Sequence, residues 1–213
     1  MVASKRVNFG VGIVTCCFLF ASLTACTPKI SGIGNRVPEI RDGGFLSSEP
    51  CAPPCFWGII PGITTEAEAI ELLQSEGLCR KYTTFDHSGG VEVFCSSGVE
   101  ISIQQGTDTI DVVIFRPSQT ITVGDAITRY GAPDTISVGV KHQYPRVWMV
   151  LNYAHLKVSL VLAEQEGSTF WVEASTEVER INYYSTASFE YYKTTTDSKW
   201  NGYGEYQEYL PRE

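Results

Sequence analysis

Apolar positions recur along this chain at two periods, and each change of period falls at a recognisable stop. From Thr65, TEAEAIELLQSEG places Ala69, Ile70 and Leu73 on one side of a helix. Thr65 followed by Glu68 is a capping box at its start, and Gly77 is a stop at its end. The period then shortens to two. Val99, Ile101 and Ile103 alternate with Glu100, Ser102 and Gln104, the pattern of a half-buried strand. Thr109 to Phe115 is apolar apart from Asp111, as a central strand would be. The same order then returns. Thr122 with Asp125 is a second capping box, Ala126, Ile127 and Tyr130 give a short helix, and Gly131 and Pro133 end it. Strand patterns follow over Thr135 to Val140, Arg146 to Tyr153, Leu156 to Leu162 and Val178 to Tyr184. The capping threonines are 57 residues apart. The expected fold is α+β: two helix-plus-antiparallel-strand repeats, 51–118 and 119–185, forming one sheet with helices on one face. An aromatic-rich segment, 186–213, follows them.

The first 25 residues have a different character. Lys5 and Arg6 precede an apolar run from Val11 to Leu23, shorter than the roughly 20 residues a spanning helix needs. This is the layout of a secretory signal peptide. Its end, Leu23-Thr24-Ala25-Cys26, resembles the lipobox of bacterial lipoproteins. That resemblance implies cleavage before Cys26, a diacylglycerol on its thiol and acylation of the new amine. Two or three acyl chains make attachment lasting where one does not. Residues 26–50, rich in Gly, Pro and Ser, read as a flexible tether. About 24 such residues span about 27 Å. The expected location is therefore a cell membrane or outer envelope, lipid-anchored and extracytoplasmic.

An exported chain changes the reading of its cysteines. Cys16 and Cys17 leave with the signal and Cys26 is lipidated, so Cys51, Cys55, Cys79 and Cys95 remain as disulfide candidates. CRKYTTFDHSGGVEVFC reads as a hairpin that brings Cys79 opposite Cys95, leaving Cys51 to close a small ring with Cys55. The crossed pairings are also compatible with the sequence. Redox or copper chemistry at Cys51 and Cys55, with His142 or His155 as a further ligand, lacks its context. The spacing is Cys-x-x-x-Cys, Pro54 forces Pro53 out of helical geometry, and no βαβ pattern surrounds the pair. A four-cysteine zinc site wants two compact pairs, and the gap from Cys79 to Cys95 does not supply one.

Charge narrows the partners. The full chain carries −8. Lys5 and Arg6 are the only charges before Cys26, so a chain starting there carries −10. With no basic stripe, nucleic acid is excluded as a partner class. Of the histidines, His87, His142 and His155 all fall in expected turns and read as solvent-facing. The chain has no Gly-x-Ser-x-Gly, no Ser-x-x-Lys, no phosphate loop and no His-Glu-x-x-His. Glu66, Glu68 and Glu71 read as one solvated helix face, and Asp108 and Asp111 flank a strand without an evident partner. Neither a catalytic residue, a metal nor a cofactor is expected.

Gly62-Ile63-Thr64-Thr65-Glu66-Ala67 resembles the start of the first helix in the BamE/SmpA family of small outer-membrane lipoproteins, and Tyr130-Gly131-Ala132-Pro133 resembles that family's Gly-x-Pro stop. Tandem units of a related kind occur in disulfide-bonded, secreted β-lactamase inhibitor proteins. The resemblance covers about 130 residues in outline; the first unit lacks Gly-x-Pro and the second lacks Gly-x-Thr. It implies a non-catalytic scaffold or protein-binding role with an envelope protein as partner. The tail offers an alternative. Phe189, Tyr191, Tyr192, Trp200, Tyr203, Tyr206 and Tyr209 either pack it across the sheet, or make Trp200, Tyr203 and Tyr206 a surface for a glycan or small solute.

Overall fold

A computed structural model describes residues 38–87, 90–104, 106–141, 146–166, 170–192 and 197–210. They belong to one compact unit, Arg36–Glu213. Residues 1–25, read above as a signal peptide, and Cys26 lie outside the described residues. Both expected capping boxes form. Thr65 opens α1 (Glu66–Ser75) and Thr122 opens α2 (Val123–Tyr130), each with reciprocal bonds to the residue three further on. Four antiparallel strands follow α1: β1 (Tyr82–His87), β2 (Gly90–Cys95), β3 (Glu100–Gln104) and β4 (Ile110–Phe115). After α2 come β5 (Thr135–Lys141), β6 (Arg146–Tyr153), β7 (Val158–Leu162) and the short β8 (Gln165–Glu166) and β9 (Trp171–Val172). The chain closes with β10 (Val178–Tyr184), α3 (Thr186–Tyr192), β11 (Ser198–Lys199), β12 (Gly204–Glu205) and a 3₁₀ turn, Tyr206–Tyr209.

Among the described residues nine strands lie in the order β1-β2-β3-β4-β10-β7-β6-β5-β11, with β8 beside β6 and a separate β9–β12 pair. Every pairing is antiparallel. The two halves are not equivalent repeats with helices on one face. β10 sits between them, pairing with β4 on one side and β7 on the other. The helices also divide between faces. Side chains alternate across a strand, so Val113, Phe115, Ile181 and Tyr183 face the main core, to which α1 and α2 contribute Ala69, Leu73, Val123 and Ala126. Val112 and Tyr184 face the opposite side, where Phe189 of α3 covers them. The fold is thus α+β and sheet-dominated, because the tail supplies a third helix and two more short strands.

Residues 38–50, expected within the tether, pack onto the core. Ile40 and Phe45 are buried, and the Phe45 ring meets Tyr130 at 5.1 Å. Tyr130 donates to the Phe45 carbonyl and Tyr183 to that of Gly43. Gly43 has φ +58°, and a Cβ there would sit 2.4 Å from the Phe115 ring, so only glycine fits this close approach. Asp42 anchors the turn: its carboxylate accepts from the amides of Gly44, Leu46 and Ser47 and from the Ser47 hydroxyl. Burial alone would raise its pKa, but these donors outweigh burial and hold the carboxyl below the usual range.

The disulfides are Cys51–Cys55 and Cys79–Cys95. The second is the local pairing that the hairpin geometry favours, set beside the Tyr82↔Cys95 register of β1 and β2.

Candidate functional site: a polar cleft on the open face of the sheet

The face away from α1 and α2 is half polar, and its polar side chains are in register. Thr135 of β5 lies opposite Asn152 of β6, Asn152 opposite Ser159 of β7, and Ser159 opposite Asn182 of β10. One row along, Val150 lies opposite Val161, and Val161 opposite Arg180. These two rows floor a cleft of about 510 Å³, within the range of small-ligand sites. Phe189 and Tyr192 of α3 form one wall, and Trp148 stands at the far end. Trp148 lies flat over Gly139, where a Cβ would fall 1.9 Å from the indole, so the glycine makes the ring's position possible.

The hydrogen bonds across the floor have one direction. Asp197 accepts from Ser137. Ser137 accepts from the Asn152 amide at 3.1 Å, which fixes Asn152 Oδ1 as the acceptor of Ser159 at 2.7 Å. The Tyr184 hydroxyl accepts from Asn182 Nδ2 at 3.0 Å. Burial pushes the Tyr184 phenol up. Asn182 is 8% exposed, and its Oδ1 has no partner among the described residues. Arg180 Nε, two residues earlier on the same face, is likewise buried and unpartnered among them. The chain therefore leaves an unpartnered acceptor and an unpartnered donor two residues apart on a strand that lines the cleft.

The rim is charged but balanced. Arg116 pairs with Glu179 at 3.0 Å, and Glu164 stands nearby. Burial and then Glu92 push the Glu100 carboxyl up, against Arg180 and Arg116. Among the described residues neither histidine nor cysteine lines the cleft. Ser159 donates to an amide oxygen rather than to a base. The arrangement can hold and orient a molecule. Among the described residues no group of three His, Cys, Asp or Glu could hold a metal ion, and no helix is long and apolar enough to cross a membrane.

The sequence-derived candidates fall elsewhere. Trp200 stacks on the buried Tyr209 at 5.9 Å, Tyr206 packs against the core, and Tyr203 is 49% exposed. Cys51, Cys55, Cys79 and Cys95 are disulfide-bonded, and Cys26 lies outside the described residues. His142 does too, and of His87 only the backbone is described. His155 is exposed, 3.8 Å from Asp134. Asp111, which looked partnerless, accepts from Ser185 Oγ at 2.6 Å. The cleft residues themselves escaped sequence reasoning. Their one signal was an asparagine or serine inside a strongly apolar strand: RVWMVLNY, VSLVL and VERINYY.

No family model, curated protein or solved structure matches this chain.

Proposed function

We propose that this chain is a lipid-anchored, extracytoplasmic binding protein without catalytic activity, and that it recognises another envelope protein through the cleft on the open sheet face. The observation that carries the reading is Asn182 Oδ1, a buried acceptor held in place yet left unpartnered. An unpaired buried polar atom costs about 1–3 kcal/mol, and an occupant that donates to it recovers that cost. Trp148, Phe189 and Tyr192 around the cleft are residue types enriched where proteins bind one another. The lipobox-like Leu23-Thr24-Ala25-Cys26 and the two disulfides support an anchored protein in an oxidising compartment. A glycan or solute site at Trp200, Tyr203 and Tyr206 is the weaker alternative, since Trp200 and Tyr206 already serve packing.

A photo-reactive residue in place of Val150, on the cleft floor, tests the reading in intact cells. The expected product is one discrete adduct, absent when the residue replaces Glu76 and lost in a Trp148→Ala background. Identical adducts from both positions would overturn it. For the anchor, Cys26→Ser is expected to move the protein from the membrane to the soluble fraction, with loss of the acyl mass in mass spectrometry.

A further inference from the structure

From the paired groups on β10, we infer that the cleft takes a peptide unit: one main-chain amide beside a large apolar side chain. This rests on the cleft being a recognition site. Asn182 Oδ1 needs a donor and Arg180 Nε needs an acceptor, and both are buried and unpartnered among the described residues. They belong to residues two apart on one strand, whose side chains point to the same face. An amide carries one donor and one acceptor, so a single such group can answer both. A carboxylate has no proton for Asn182 and would set negative charge against its oxygen. A hydrocarbon would leave both groups unpaired. The rest of the floor is apolar: Val150 and Val161 form a shelf below Trp148, with Tyr192 opposite. A volume of about 510 Å³ holds one bulky side chain and the peptide groups next to it.

Asn182 is held in the receptive orientation. Its Nδ2 donates to the Tyr184 hydroxyl at 3.0 Å, which leaves Oδ1 as the end without a partner among the described residues. An amide free to flip would be indifferent between donor and acceptor ligands. This one is built to prefer a donor.

Three probes test the inference on the full chain in detergent: N-acetyl-L-phenylalanine amide, 3-phenylpropionamide and 3-phenylpropionate. Binding is followed by nuclear magnetic resonance at the Asn182 side-chain amide and the Trp148 indole. Both amides are expected to shift these signals, and the carboxylate to bind about tenfold more weakly. Asn182→Leu is expected to erase the difference between amide and carboxylate. Tyr184→Phe, which keeps the ring and frees the Asn182 amide to turn, is expected to reduce it. Far-ultraviolet circular dichroism confirms that each variant is folded; if Asn182→Leu is not, Tyr184→Phe decides. Equal binding of carboxylate and amide, no binding of any probe, or an amide preference undiminished in the deciding variant would overturn the inference. The cross-link from position 150 reads the underlying proposal separately: an adduct without amide binding sinks the peptide unit and spares the cleft.

Discussion

Asp197 and Ser159 are the two ends of one hydrogen-bond chain that runs from the C-terminal segment into the sheet. Its links are Ser137 and Asn152, and its direction is imposed by the carboxylate, which can only accept. Asp197 also takes bonds from Thr135 and Asn152 at 3.3 Å. Asp197→Ala leaves the Ser137 hydroxyl without its acceptor and is expected to cost about 1–3 kcal/mol in urea denaturation. Thr135→Val, which removes a side branch of the chain, is expected to cost less. The reverse order would show that the carboxylate is not the anchor.

Acid should act through Asp42. Its folded-state carboxyl titrates below the ordinary value near 3.9, so its contribution is present above about pH 4 and is lost as pH falls through the lower, folded value. Asp42→Asn is expected to be less stable than the parent by about 2 kcal/mol at pH 6, with the gap narrowing toward pH 3. Urea midpoints for both proteins across that range measure it. A gap independent of pH would mean that the carboxylate's charge contributes nothing.

The two disulfides differ in the chain they close. Cys79 and Cys95 are 16 residues apart and Cys51 and Cys55 only 4. Removing the longer link by paired alanine substitution is expected to cost about 3 kcal/mol, and the shorter one less. Thermal unfolding of the two double variants compares them directly.

Trp200→Ala distinguishes packing from recognition in the tail. The indole lies parallel to the ring of Tyr209, which is 1% exposed, at an interplanar angle of 12°. The substitution is expected to lower stability by about 3 kcal/mol. Unchanged stability would return the tail to candidacy as a binding surface.

Local signals carried well from sequence to structure, and relations across the sheet did not. Thr65 with Glu68 and Thr122 with Asp125 announce helices because a capping box completes itself within four residues. The β1–β2 hairpin and the alternation of β3 are local too. The position of β10 is not. VERINYY reads as a strand, but nothing within it says that its neighbours are Val112 to Phe115 and Val158 to Leu162. Nor does the tail say that Ser198 and Lys199 will pair with Ile136 and Thr135 at the far edge. The cleft inherits this dispersal. Asn152, Ser159 and Asn182 are each a lone polar residue in a largely apolar strand, and nothing in the separate strands says that they face one another. Register brings them together, and α3, which the sequence presents only as part of an aromatic tail, walls them in.

The order of the strands also sets when the molecule can be finished. β10 is among the last segments to be synthesised, yet it holds the middle of the sheet. Until residue 184 has left the ribosome, the strand formed by Ile110–Phe115 keeps a bare edge, and neither half has its inner neighbour. Loops this long close slowly. The middle of the sheet is therefore among the last parts of the molecule to be completed.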